Sequence, residues 1–234
     1  MHIIYRISDS GYNKIKPDYI NNENCLRNAL NTFPTLYDTW SIIADNISQQ
    51  TNDMIQKYIS RDHIYYTDKG NGAATFNLAL DEALKLDDNE IVYFIENDYV
   101  HKSGSPYILQ EGFEIGADYI TLYCHPDKFL PPSQGGNPYV GEDGGYNTKI
   151  YKSKSCFWLM TESTTMTFAA KVKTLKEDED ILRKWTSGIH PDDFKMFLDL
   201  RVKGKALLMP IPSYSTHGEV QWLAPFENWK EIIK

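Results

Sequence analysis

At 234 residues, 41% hydrophobic and 24% charged, the chain has the length of one large domain and a composition that buries a core, which excludes global disorder and two domains on a long linker. Its 24 Lys and Arg stand against 32 Asp and Glu, a formal net charge of −8 with the basic residues scattered, so its field repels duplex nucleic acid. No apolar run nears the roughly 18–20 residues that cross a bilayer, and Met1-His2-Ile3-Ile4-Tyr5-Arg6 lacks the layout of a secretory signal, so a cytoplasmic address is expected. Cys25, Cys124 and Cys156, odd in number and without Cys-x-x-Cys spacing, are expected to be reduced and structural.

In chain order, short β-rich runs alternate with longer helical ones, the pattern of an α/β layer fold. Residues 2–7 read as a strand closed by Ser8-Asp9-Ser10-Gly11, and 24–32 as a helix through Leu26, Ala29 and Leu30 that Pro34 ends. A second strand over 40–44 stops at Asp45, a helix over 48–60 carries Met54, Ile55 and Tyr58, and a third strand over 63–66 stops at Thr67-Asp68. Gly70-Asn71-Gly72 punctuates the chain ahead of a helix over 73–86 with Phe76, Ala79, Leu80, Ala83 and Leu84 at helical spacing. The strand over 91–95 is apolar throughout, as expected for one buried on both faces of a sheet, and it stops at an acidic turn, Glu96-Asn97-Asp98-Tyr99. Beyond it the pattern predicts a helix over 105–115, a strand over 119–123, and a Pro- and Gly-rich surface loop over 131–146. Strands over 151–160 and 164–169, helices over 173–185 and 194–202, and a last strand over 206–209 follow, before a small-residue turn, Ser215-Thr216-His217-Gly218.

Four β-α steps thus deliver polar or acidic residues to strand carboxyl ends: Ser8 and Asp9, Asp45, Asp68, then Glu96 with Asp98. Open α/β sheets bind ligands at that edge. Two carboxylates two positions apart at the end of a dry strand suit a hard divalent cation, Mg2+ or Mn2+, which keeps coordination positions open for substrate phosphates.

The strand followed by Glu96-Asn97-Asp98 resembles the Asp-x-Asp or Glu-Asp-Asp motif of family-2-like GT-A glycosyltransferases, which use a nucleotide-sugar donor. The resemblance covers most of the chain. It implies a Rossmann-like mixed sheet flanked by helices in a single GT-A-like domain, with a nucleotide-sugar-binding half over 1–99 and an acceptor-binding half over 100–234. It implies that Asp45 contacts the base, that Arg6, Ser8 and Asp9 cover the nucleotide, and that Asp68, Asn71, Glu96 and Asn97 stand on the donor side. Asn97 occupies the middle of the motif, where the family pattern has Asp. It further implies a metal role for Asp98, and for His217 as the family's late histidine, whose imidazole suits Mn2+ better than Mg2+. Inverting transfer needs a carboxylate to deprotonate the acceptor, and His190-Pro191-Asp192-Asp193-Phe194 offers Asp192 or Asp193, one of which also suits a helix N-cap. Tyr139, Tyr146, Trp158, Trp185, Trp222 and Trp229 fall in the acceptor half, where a sugar ring could stack on one of them.

The implied function is metal-dependent transfer of a sugar from a nucleoside-diphosphate sugar, UDP first, to a glycan or lipid-linked saccharide of a surface polymer. The enzyme would work in the cytoplasm or peripherally at the inner membrane face, with the 131–146 loop as a lid. The main rival is an NAD-dependent oxidoreductase, on Gly70-x-Gly72-x-x-Thr75, although the third glycine is missing and the motif comes two β-α units late. A sugar nucleotidylyltransferase would carry a basic glycine-rich loop where Ser8-Asp9-Ser10-Gly11-Tyr12 stands. A glycosidase needs only two of the many carboxylates, and a non-catalytic carbohydrate-binding module is the reading from another class. His125-Pro126-Asp127 repeats the tripeptide at 190–192, but no basic helical hairpin of a DnaJ-type domain flanks either copy.

Overall fold

The computed structural model describes residues 1–10 and 14–234, so Gly11 and Tyr12 of the break after the first strand lie outside the described residues. Ile3, Ile4, Tyr5 and Ile7 are all buried, which only a strand covered on both faces allows. They belong to β1 (His2–Ser8), which lies parallel to β2 (Thr39–Asp45), itself parallel to β3 (Ile64–Thr67). On its other side β1 pairs in parallel with β4 (Ile91–Glu96). The chain steps outward from β1 to β3 and then returns to the far side of β1. The switch point of the sheet is therefore the gap between β1 and β4, where such sheets bind ligands. Period-two alternation sends Ile3, Tyr5 and Ile7 to one face, against Leu26 and Ala29 of α1 (Asn22–Thr32), and Ile4 to the other. The first face also receives Met54 and Ile55 of α2 (Gln49–Gln56). The second meets Phe76, Ala79 and Leu80 of α3 (Gly72–Ala83). Each helix starts on a side-chain cap: Asn21 accepts from Asn24 N, Ser48 from Thr51 N, and Asn71 from Ala74 N.

The second half is less regular, and there the expected boundaries shift. Tyr99 does not close a turn. It opens β5 (Tyr99–His101), after which come α4 (Ser105–Glu114) and β6 (Tyr119–Ile120), a strand of two residues where five were expected. The single strand expected over 151–160 is a hairpin of β7 (Ile150–Lys152) and β8 (Phe157–Met160), because Glu111 accepts from the Ser155 amide and hydroxyl and holds a turn there. The strand expected over 164–169 begins only at β9 (Phe168–Lys171), since Thr165 and Met166 sit at φ 47° and 58°, outside extended geometry. The helix expected over 173–185 is split into α5 (Val172–Glu177) and α6 (Glu179–Trp185). Between them the buried Asp178 turns inward to accept from Tyr119 OH at 2.8 Å and pair with Lys203 at 2.8 Å. Then follow α7 (Asp193–Val202), β10 (Leu207–Ile211), β11 (Ser215–His217) and α8 (Trp229–Ile232). The small-residue turn expected at 215–218 is thus a strand for three of its four residues.

The large mixed sheet runs β3-β2-β1-β4-β9-β6-β10-β8-β7, with β9 antiparallel to β4 and β6, β10 parallel to β6, and the β10-β8-β7 edge antiparallel. β5 and β11 form a separate antiparallel pair. The 131–146 loop is anchored at two of its residues. Buried Glu162 accepts from Asn137 Nδ2 and Tyr146 OH, both at 2.6 Å, and pairs with Arg201 at 3.2 Å and with fully buried Lys128 at 3.5 Å. Breaking such a network strands a buried charge. The three cysteines are buried and unbonded, and burial pushes the Cys25 and Cys124 thiols up to about 12. Among the described residues no helix is long and apolar enough to cross a membrane.

His101 of β5 is enclosed by Phe33, Tyr93 and Tyr99, with ring centroids 5.4, 5.6 and 6.2 Å away, and burial pushes its imidazole down to about 3. An unfolded histidine titrates near 6.5. Between these values the unfolded chain binds the extra proton, so stability falls as pH drops below about 6.5, at up to about 1.4 kcal/mol per pH unit. Urea unfolding midpoints measured from pH 7 to pH 4 are expected to show this slope in the wild type and a shallower one in His101→Gln.

Candidate active site

A cleft of about 800 Å3 opens at the carboxyl ends of β1, β2 and β4, within the range of small-molecule sites. Strand register puts Ser8 beside Asp45 and Arg6 beside Glu96. Arg6 follows the alternation of β1 toward α3, where its guanidinium lies over the Phe76 ring and Nη1 donates to Gly72 O at 3.1 Å. Its Nη2 donates to Glu96 Oε1 at 2.9 Å and to Met166 O at 3.2 Å. Expected over the nucleotide, Arg6 also acts as a buried brace that fixes the acid at the end of β4. Burial pushes the Glu96 carboxyl up, Arg6 draws it down, and Asp98 adds to the rise, so it stays above the usual value.

Asp98 lies in the tight turn between β4 and β5. Antiparallel pairing sets His217 opposite Tyr99, and the imidazole reaches back so that Nε2 is 3.3 Å from Asp98 Oδ2. Lys16 Nζ stands 2.9 Å from the same oxygen. Burial works to raise the Asp98 carboxyl, but His217 and Lys16 together outweigh it and hold Asp98 well below the usual carboxylate range. Glu96, Asp98 and His217 each offer a ligand atom, all within 4.8 Å of one another. Asp98 Oδ1 is buried with no hydrogen-bond partner among the described residues. Two carboxylates and an imidazole match the donors of a divalent ion such as Mn2+, and a buried oxygen without a partner is one that a cation would satisfy, so the residues fit the metal. Gly218 makes the approach possible: a Cβ there would lie 2.5 Å from Ile20 Cγ2 and 2.7 Å from Asp98 O.

The other expected residues mostly converge here, several with structural duties as well. Asp45 is buried at the cleft wall, and both its oxygens accept from Gly70 N, at 3.1 and 3.0 Å, in a turn where Gly70 takes φ +66°. Asp9 accepts from Ser48 N and Thr51 Oγ1, both at 2.6 Å, which anchors the start of α2. Asn97 Nδ2 donates to Ser8 O at 3.1 Å and to Asn22 Oδ1 at 2.6 Å, tying the end of β4 to the end of β1. Asn71 caps α3 at the rim. Asp68 is exposed and absent from the cleft wall.

Asp192 and Asp193 do not line the cleft, although Ile189 and His190 just before them do. Asp192 caps α7, accepting from Lys195 N at 3.0 Å and pairing with Lys195 Nζ at 2.8 Å. Asp193 Oδ2 instead accepts from Thr164 N at 2.7 Å and Thr165 N at 2.8 Å, and burial pushes its carboxyl up. The turn it holds stands behind the cleft wall, since Tyr99 OH donates to Thr164 O and Arg6, which lines the cleft, donates to Met166 O. Of the aromatic residues, Trp158 and Trp229 are core, Trp185 Nε1 donates to Asp199, and Tyr139 stacks on Phe194. Trp222 packs on His125, which leads through Tyr123 to His217 at centroid spacings of 5.0, 5.1 and 6.3 Å. Sequence reasoning missed Lys14 and Lys16, which line the cleft. The signal was two lysines two positions apart just past the break after the first strand, where a diphosphate would need cations.

No protein-family model and no curated protein matches the sequence. In structure the chain is similar to GalNAc-T7 with UDP, GalNAc and Mn2+, at a TM-score of 0.60 and 11% identity, covering 95% of this chain and 44% of that one. It is similar to S. aureus TarS 1–349 in complex with UDP, at 0.55 and 15% identity, over 92% of this chain and 59% of that one. It is similar also to the same TarS fragment with UDP-GlcNAc, at 0.51 and 14% identity, over 92% and 57%. The chain therefore spans less than two thirds of each of these proteins. The fold is that of the GT-A glycosyltransferases, as the resemblance at Glu96-Asn97-Asp98 implied.

Because a methyl group at position 218 would collide with the Asp98 carbonyl, Gly218→Ala is expected to push β11 away from the β4–β5 turn. Mn2+ affinity measured by calorimetry should fall by at least about tenfold, ~1.4 kcal/mol, with the far-UV circular dichroism spectrum unchanged.

Proposed function

We propose that this protein is a metal-dependent, inverting glycosyltransferase that transfers a sugar from a nucleoside-diphosphate donor, UDP first, to a saccharide acceptor such as a glycan or lipid-linked sugar of a surface polymer. The observation that carries this reading is the Glu96, Asp98 and His217 cluster at the switch point of a GT-A sheet, with the buried Asp98 Oδ1 lacking a partner among the described residues. The UDP and Mn2+ seen in GalNAc-T7, and the UDP and UDP-GlcNAc in TarS, support the donor class.

In this reading Asp98 and His217, with Glu96 beside them, would hold Mn2+ or Mg2+, and a cation there would neutralise charge on a departing diphosphate. Asp45, Asp9 and Ser8 form the wall against which the nucleoside lies. Neither candidate base lines the cleft: Asp193 Oδ2 is held by the Thr164 and Thr165 amides, and Asp192 caps α7 and pairs with Lys195, so the base role passes to a carboxylate that reaches the acceptor hydroxyl. As the acceptor oxygen bonds to the anomeric carbon, its proton passes to that base, and the bond from that carbon to the diphosphate breaks to release the nucleoside diphosphate. The rings of His125 and Trp222 offer an apolar face to a saccharide near His217. The NAD reading loses its support, since Gly70 N is taken up by Asp45 and the glycine turn follows the third strand rather than the first.

Calorimetric titration with UDP, GDP and NAD, with and without Mn2+, is expected to show Mn2+-dependent binding of UDP that Asp98→Ala abolishes. Binding of NAD alone, or of no nucleotide, would overturn the proposal.

A further inference from the structure

Each acid around the metal site already carries a cation of the chain itself. Arg6 pairs with Glu96 at 2.9 Å, Lys16 with Asp98 at 2.9 Å, and Lys14 with Glu219 at 3.4 Å. The two lysines flank Ile15, which is 80% exposed, and Val220 N donates to Ile15 O at 3.0 Å. Residues 14 and 16 are thereby turned together toward the cleft that both line. Lys16 is not a surface ornament: its ammonium meets a buried carboxylate whose other oxygen has no partner among the described residues. A divalent cation brought to the same carboxylate is repelled by an ammonium 2.9 Å from its Oδ2.

We infer that Lys16 is an internal counter-ion standing in the place of the divalent cation at Asp98, and that the site takes the metal tightly only together with a diphosphate whose oxygens accept the displaced ammonium. The inference rests on the metal-site reading above and adds a role for Lys16 in it. It is a role of exchange: in the metal-free protein the lysine neutralises Asp98 and spares a buried charge, and with donor present the same ammonium meets phosphate oxygens. No covalent step is involved.

The test is Mn2+ titration by calorimetry of the full chain as wild type, Lys16→Met, Lys16→Arg and Asp98→Asn, each with and without UDP. Without UDP, Lys16→Met is expected to bind Mn2+ at least about tenfold tighter than wild type, while Lys16→Arg, which keeps the charge, stays as weak as wild type. UDP should tighten Mn2+ binding more in wild type than in Lys16→Met, because only the former has an ammonium to displace. Should Lys16→Met fail to fold, Lys16→Gln serves the same comparison. If wild type binds Mn2+, Asp98→Asn does not, and Lys16→Met matches wild type or binds more weakly, the counter-ion role is wrong while the metal site stands. If no variant binds Mn2+ in either condition, the metal-site reading itself fails, and this inference with it.

Discussion

The three-residue ladder between β5 and β11 is the constraint on which the site depends. It joins segments far apart in the chain, setting His217 opposite Tyr99 and therefore next to Asp98. So short a ladder has few hydrogen bonds of its own, and the surroundings hold it. Asn28 of α1 treats His101 as a strand partner, its Oδ1 accepting from His101 N at 2.7 Å and its Nδ2 donating to His101 O at 3.0 Å. The side-chain amide thus satisfies an edge that would otherwise bury unpaired backbone groups. Lys102 N extends the join by donating to Tyr214 O at 2.9 Å, and Gly218 allows backbone contact where any side chain would intrude.

Around that ladder the molecule manages buried charge by pairing. A carboxylate withdrawn from water is costly unless cations or donors meet it. The cleft meets this with Arg6 on Glu96 and with Lys16 and His217 on Asp98, and the second half of the chain repeats the solution with Lys128 and Arg201 on Glu162. The two networks serve different ends. Glu162 is met on both oxygens and anchors Asn137 and Tyr146 of the 131–146 loop, whereas Asp98 retains an oxygen without a partner among the described residues. Glu96 and Asp98 also part company in protonation, the first raised by burial and the second driven down by its cations.

The fold accounts for the place of the cleft and little else. Proteins that share it at 11–15% identity share the sheet and its switch point, and chemistry rests on the side chains at that edge. Here that edge is crowded with residues that do two jobs. Asp45 shapes the Gly70 turn, Asp9 anchors α2, and Asn97 ties two strands together, and all three still face the cleft. Such double use pre-organises the walls, since each cleft residue is already held by a partner behind it.

Local patterning in the sequence was enough for the parallel half. β1 through β4 and the helices between them repeat an apolar period over six or more residues at most steps, and the acids at the strand ends follow from where those periods stop. The Glu96-Asn97-Asp98 motif and the late His217 were legible for the same reason, as residue types at the end of a readable strand. The second half was read less well because its elements are too short to carry a period: β5, β6, β7 and β11 have two or three residues each. Breaks such as Asp178 and the Thr164–Met166 turn depend on partners distant in sequence, Lys203 and Tyr119 in one case and Asp193 in the other. The sequence by itself determined the succession of strands and helices in the first half and the acids at the strand ends, because hydrophobic burial acts through local spacing, whereas the strand order came with the tertiary structure. Only the tertiary structure decided that Asp98 meets His217 and Lys16, that Arg6 braces Glu96, and that Asp193 rather than Asp192 supports the neighbouring turn. Those pairings follow from long-range strand registry and from electrostatic compensation of buried charge, and neither leaves a periodic trace in the chain.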